Sequence, residues 1–277
     1  MQNSHGSGGF DFLNRPPRSQ KPRKVGITVA LDWAQSLAEA RTYIETVGDI
    51  IDHMKMPDHV GLMWRYSPEY IREKNMLYRS AGIDVLPGGI PFEVAAVQGK
   101  VPQFMRRVAE LGFSAVEVSE DSMDFTPEDR RAAIQLGKEN GLLVYTELGK
   151  KFPDKPLDAN EATDIAREDI KNGAHMVVVE KSDVEIVMRN SSDVIHRIVD
   201  MVGAEKIIIE CGPGPNRFEI ARWLIKEFGA NVNLENIDAH EIYAIEAIRH
   251  GLHRAVEFEY FHQYKGKKLP SVLATKS

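Results

Sequence analysis

Apolar and polar positions follow one another along this chain in a long, regular rhythm. Eight short apolar runs, residues 25–32, 50–55, 83–89, 115–119, 142–147, 175–180, 206–210 and 231–235, each pass from aliphatic positions into polar or glycine-rich sequence. Runs of this length predict strands. Between them lie stretches with apolar residues at three- and four-residue spacing, at 36–46, 67–80, 102–111, 127–140, 159–172, 191–202, 216–228 and 239–250, and these predict amphipathic helices. Thr126-Pro127-Glu128-Asp129 sets an N-cap, a proline at the first helical position and acids in the first turn. Gly82, Gly112, Gly141, Gly173 and Gly203 follow helical stretches where C-terminal caps belong. The repeated order of helix, glycine and strand implies tight connections between parallel neighbours. Eight such units in one chain predict an α/β fold, a single-domain (β/α)8 TIM barrel, because open sheets usually stop at fewer strands.

Composition narrows this without changing it. At 277 residues and 43% hydrophobic, the chain is the size of one barrel with a large core. Residues 1–23, rich in Gly, Ser, Pro and Arg, form a lead segment laid over the barrel or left mobile, 24–255 form the barrel, and 256–277 a C-terminal extension. A formal charge of −6 gives no general attraction to nucleic acid or to an anionic membrane, so an anionic ligand needs a local site. The single cysteine, Cys211, rules out an intrachain disulfide and a thiolate metal cluster. Nothing at the N-terminus reads as a signal peptide, and no run approaches the ~18 apolar residues of a membrane-spanning helix. A cytoplasmic homo-oligomer acting on small molecules, with neither nucleic-acid nor membrane partners, is expected.

Active sites of this fold gather where the strands end. There the chain places Asp32, Lys55, Glu117, Glu147 with Lys150 and Lys151, Glu180, Glu210, and Glu235 beside Asn233. So many acids around one mouth are costly unless a cation compensates for them, and magnesium is the usual partner of oxygen ligands and phosphate. Two glycine-rich turns, Pro87-Gly88-Gly89-Ile90 and Gly212-Pro213-Gly214-Pro215, could let backbone amides approach an oxyanion. Cys211 has no His partner in sequence and reads as a packing residue, and the histidines show no metal-binding spacing.

A set of motifs carries a resemblance. Gly26-Ile27-Thr28 with Asp32, Ile51-Asp52-His53-Met54-Lys55, Leu86-Pro87-Gly88-Gly89-Ile90-Pro91-Phe92-Glu93-Val94, Gly112 through Ser119, Glu147-Leu148-Gly149-Lys150-Lys151, Ile208-Ile209-Glu210 and Val232 through Ile237 resemble the phosphosulfolactate synthase family over about residues 21–255. Membership would imply a (β/α)8 enzyme that adds sulfite to phosphoenolpyruvate with Mg2+, giving 2-phospho-3-sulfolactate, the first step of a route to coenzyme M. The resemblance assigns Lys150 or Lys151 as proton donor and substrate clamp, together with Glu147. It makes Lys55, Gly88, Gly89, Ser119, Gly214 and Asn233 the substrate contacts, and Glu117, Glu147, Glu180, Glu210 and Asp32 the metal-holding acids. The chain departs from the family pattern after Lys55, where it reads Met56-Pro57-Asp58-His59, and at Glu180-Lys181-Ser182, where the family carries an arginine. Other readings are a different nucleophile on phosphoenolpyruvate, a non-catalytic stress-associated homologue, or a Schiff-base aldolase using Lys150 or Lys181.

Overall fold

A computed structural model describes residues 8–269 apart from Asp154, Ser191 and Ser192. The outer parts of the expected lead segment and C-terminal extension, and the first two positions of the expected 191–202 helix, lie outside the described residues. All eight expected strands form: β1 (Thr28–Leu31), β2 (His53–Lys55), β3 (Asp84–Leu86), β4 (Ala115–Val118), β5 (Leu143–Leu148), β6 (Met176–Val179), β7 (Ile207–Glu210) and β8 (Leu234–Asp238). They pair in parallel in the order β3-β2-β1-β8-β7-β6-β5-β4, a single-domain (β/α)8 TIM barrel that is nearly closed. At the seam between β3 and β4, Ser114 stands in for a ladder. Its amide donates to the Val85 carbonyl at 3.1 Å, and its Oγ accepts from the Val85 amide at 2.9 Å.

Among the described residues, ten α-helices wrap the strands: α1 (Leu37–Val47), α2 (Pro68–Ser80), α3 (Ile90–Val97), α4 (Val101–Glu110), α5 (Pro127–Glu139), α6 (Ala159–Asn172), α7 (Lys181–Asn190), α8 (Val194–Val202), α9 (Arg217–Phe228) and α10 (Ile242–Arg249). Local chemistry sets their starts. Ser36 and Glu39 close a full capping box on α1, and Thr126 caps α5 ahead of Pro127. The spacing pattern does not reveal α3 and α7. The first is apolar nearly all round, so it has no amphipathic stripe, and the second starts directly at the end of β6.

The core has two parts. Ala30, Met54, Val116, Val177, Ile209 and their like point outward under the helices, while Val29, Ala115, Tyr145, Met176, Val178 and Ile208 fill the barrel interior. This alternation carries His53 and Lys55, or Tyr145 and Glu147, to successive levels inside the barrel. His53 and Tyr145 meet there, with Tyr145 Oη 2.7 Å from His53 Nδ1, and burial pushes His53 down to about 4, so it stays neutral. In β8 the register against β1 slips by one residue between Leu234 and Ile237, and Asn236 takes a left-handed φ of 58°. This bulge lets the adjacent Glu235 and Asn236 both reach the interior.

The inner lead segment covers the opposite end of the barrel. Lys21 Nζ donates to the carbonyls of Gly48 and Ile51, Arg23 pairs with buried Asp52 at 3.1 Å, and Arg18 bonds Gly26 O and pairs with Glu246. The extension and the residues just before it pack beside α9, with Phe218 on His253 and Lys226 near Glu259.

Candidate active site

Six strand-end side chains converge at and just beneath the floor of one cavity at the C-terminal end of the barrel. Glu117, Glu147, Glu180, Glu210 and Glu235 are all at most 5% exposed, and Lys55 stands among them at 7%. Lys55 Nζ lies 2.8 Å from Glu117, 3.3 Å from Glu210 and 3.7 Å from Glu235. Burial by itself would strip the charge from Lys55, yet Glu117, Glu235 and Glu210 outweigh it and hold the ammonium well above its ordinary range. One ammonium cannot neutralise five buried acids. Burial, reinforced by the Glu117 carboxylate, pushes Glu147 far up; burial and then Glu180 do the same to Glu210; and burial raises Glu235 to about 7 against the pull of Lys55. Glu117 is the exception. Burial works against its charge too, but Lys55 and a hydrogen bond shared with Glu147 keep it below its usual value.

Above this floor the cavity opens to about 310 Å³. Its wall carries Lys151, Lys181 and half-buried His59, with Trp33 and Phe152 at the rim. Burial, then Lys55 and Lys151, depress His59, so it is a neutral hydrogen-bonding group at the mouth. A cationic upper wall over an acidic floor suits a polyanion held through a bridging cation.

The acids fit a hard divalent ion. Oxygens of Glu117, Glu147 and Glu210 lie within 4.8 Å of one another, as do those of Asp121, Glu147 and Glu180. Glu147 Oε2, Glu180 Oε2 and Asp121 Oδ1 are buried without a hydrogen-bond partner, a state that a coordinated cation would relieve.

A family model for (2R)-phospho-3-sulfolactate synthase (ComA) matches residues 16–255. The chain belongs to the phosphosulfolactate synthase family. It is 33% identical over 252 residues to the phosphosulfolactate synthase of Methanothermobacter thermautotrophicus, covering 88% of this chain and 95% of that one. It is 35% identical to the Methanocaldococcus jannaschii phosphosulfolactate synthase, with 82% and 92% covered. Among solved structures, the carboxyl transferase domain of Rhizobium etli pyruvate carboxylase with 3-hydroxypyruvate matches at a TM-score of 0.55 and 13% identity, over 87% of this chain and 47% of that one, a likeness of fold.

Within this family frame, the expected site residues divide. Lys55, Glu117, Glu180 and Glu210 line the cavity floor with Glu147 close beneath them, and Lys151 lines the wall. Gly89 borders it, and Gly88 lies beside Lys55, whose Cε would be 3.5 Å from an added Cβ. A Cβ on Gly89 would come within 2.4 Å of Ser119 Cβ and 3.2 Å of Glu117 Oε1, so only glycine lets the chain pass there. Gly214 lies beside Lys181, whose Nζ would be 3.3 Å from an added Cβ.

Four expectations need correction. Asp32 follows inward-facing Leu31 and therefore points outward, where Lys74 Nζ at 2.7 Å, Tyr78 Oη at 2.8 Å and the Gln35 amide at 2.8 Å engage it. It does not join the acids of the cavity floor. Asn233 sits at the far end of the barrel, accepting from Ile27 N and donating to the carbonyls of Ala204 and Ile207. Ser119 Oγ is spent on buried Glu93 at 2.6 Å. Lys150 turns away from the cavity to the carbonyls of Glu120 and Met123 and to Asp124.

Other participants go unannounced in the expected site. Asp121 pairs with Lys151, and Asn236 donates to Glu210 Oε1 at 2.5 Å. Lys181, expected only as the lysine of a Schiff-base alternative, holds Glu185 on the wall and lines the cavity. Cys211 is buried at 1% exposure with its thiol pushed up by burial, consistent with packing. Among the described residues no helix is long and apolar enough to cross a membrane.

Proposed function

We propose that the protein is a phosphosulfolactate synthase that adds sulfite to phosphoenolpyruvate in a Mg2+-dependent reaction, giving 2-phospho-3-sulfolactate. The observation that carries this reading is the cavity itself, with its cage of buried strand-end acids around Lys55 and its wall of Lys151, Lys181 and His59. The ion would supply a Lewis-acidic anchor for substrate oxygens, held by acids drawn from Asp121, Glu117, Glu147, Glu180 and Glu210.

The chain's own groups account for the rest of the step. Lys181 and Lys151 are placed to hold phosphate and sulfite oxygens, and the short Gly88-Gly89 turn leaves room for the enol phosphate above Glu117. The sulfite sulfur lone pair attacks the methylene carbon and forms the C–S bond. The π electrons of the alkene then move toward the substrate carboxylate, where the cationic wall stabilises the developing charge. A proton delivered to the neighbouring carbon completes the addition without breaking the phosphate ester. Lys151 takes this role, because its side chain lines the cavity beside Asp121 while Lys150 is tethered elsewhere.

The test is direct. Purified protein with phosphoenolpyruvate, Mg2+ and sulfite should yield a sulfonated, phosphate-retaining product by mass spectrometry, and the product should vanish when either Mg2+ or sulfite is omitted. Failure to form it with both present overturns the reading.

A further inference from the structure

The acidic floor holds two groups of carboxylates, and they are not equivalent. On one side, Glu117, Glu210 and Glu235 all face the Lys55 ammonium, at 2.8, 3.3 and 3.7 Å. On the other, Asp121, Glu147 and Glu180 bring oxygens within 4.8 Å of one another with no ammonium shared among them. Lys151 touches only Asp121 of this second group, through Oδ2. That leaves Asp121 Oδ1, Glu147 Oε2 and Glu180 Oε2 unpartnered on side chains that are 5%, 1% and 5% exposed.

We propose that this centre has two cation positions, that Lys55 fills the one on Glu117, Glu210 and Glu235, and that a single divalent ion takes the other, on Asp121, Glu147 and Glu180. The inference deepens the proposed function, resting on its divalent ion but not on its substrates. An ion placed in the first group would have to displace or adjoin an ammonium in a buried setting, where like charges are poorly screened. In the second group it would meet three carboxylates that each keep an unbonded oxygen and share no ammonium, whereas the unbonded Glu117 Oε2 and Glu235 Oε2 of the first face Lys55. Glu147 belongs to both sides, sharing a hydrogen bond with Glu117 while keeping Oε2 free.

The surroundings of Asp121 support its role as a ligand. Buried Glu93 accepts from Ser119 Oγ at 2.6 Å, from the Asp121 amide at 3.2 Å and from the Ser122 amide at 3.1 Å. Lys150 ties down the carbonyls on either side, Glu120 and Met123. A loop pinned at so many points fixes where the Asp121 carboxylate stands, as a supporting shell does for a metal ligand. Ser119 and Lys150 thus become positioning residues.

Mn2+ is the probe, counted by its free-ion EPR signal on the metal-stripped full chain. Wild type should bind one ion. Asp121→Asn and Glu180→Gln should each weaken binding by at least ~10-fold, Glu210→Gln should leave it near the wild-type value, and Lys55→Met should raise the stoichiometry from one to two. Should Lys55→Met fail to fold, the contrast between Asp121→Asn and Glu210→Gln decides the matter, since both retain Lys55. Two ions on wild type, or Asp121→Asn binding like wild type while Glu210→Gln loses the ion, would overturn the assignment. Product formation is read separately, so one-ion binding without sulfonated product refutes the chemistry alone, and product without dependence on Asp121 refutes the site alone.

Discussion

Replacing Asp32 by asparagine separates a stabilising role from a metal-holding one. Asp32 is 1% exposed and accepts from Lys74 Nζ at 2.7 Å, Tyr78 Oη at 2.8 Å and the Gln35 amide at 2.8 Å. Lys74 is itself 4% exposed, and its other partner is the Gln35 carbonyl. Asp32→Asn keeps the shape and one acceptor but leaves a buried ammonium without its counter-charge. Breaking such a pair costs about 3–5 kcal/mol, and the retained acceptor places the change near the lower end, roughly 3 kcal/mol. For a chain of this size each kcal/mol moves the thermal midpoint by about 2–4 °C, so a fall of roughly 6–12 °C is expected by scanning calorimetry. Adding Lys74→Met removes the stranded charge, and the double variant should recover most of the loss. Mg2+ titration of Asp32→Asn should match wild type. A variant with an unchanged midpoint and a weakened Mg2+ response would refute this reasoning and return Asp32 to the metal-holding set.

The two adjacent lysines should behave differently. Lys151→Ala is expected to lower turnover by ~10²-fold or more and, by leaving buried Asp121 without its ammonium partner, to lower the thermal midpoint as well. Lys150→Ala should instead loosen the segment around Glu120 and Met123, seen as faster amide exchange there, so normal exchange with lost turnover would reverse the assignment. Glu235 gives a pH signature in EDTA. Its pKa of about 7 means that the native state keeps a proton which the unfolded chain releases at an ordinary carboxylate pKa, so this contribution to stability falls as pH rises through 7. Buried His53, held near 4, works the other way, but that gain is complete once pH passes the unfolded value of about 6.5. Between about pH 6.5 and about pH 8, wild type should therefore lose stability relative to Glu235→Gln; parallel curves would exclude the raised pKa.

The barrel is legible in the sequence because each strand is a compact apolar run and most helices carry an amphipathic stripe. What escapes are the elements without such a period, α3 with its nearly uniform apolar surface and α7 directly behind Glu180. The acids of the floor are legible for a related reason, since a polar residue closing an apolar run is conspicuous. Which way it points is not. Asp32 and Glu117 both follow aliphatic stretches, yet alternation turns one toward α2 and the other into the barrel. Lys150 and Lys151 are neighbours of identical chemistry, and only the carbonyls of the preceding loop distinguish them. Asn233 and Asn236 flank Glu235 closely, and the bulge that brings Asn236 inward has no mark in composition.

The hydroxyl closure at Ser114 gives the cylinder a preferred line of parting. Elsewhere neighbouring strands are laced by backbone ladders, slipped once at the β8 bulge, whereas here the amide and hydroxyl of one serine act as the rivet between two staves. Breathing that widens the bore is expected to start along that line, and the stave carrying Glu117 would then swing away from Lys55. A substitution as small as Ser114→Ala would therefore be felt at the rim, as a slackened grip between those two charges, although it alters nothing in the cavity itself.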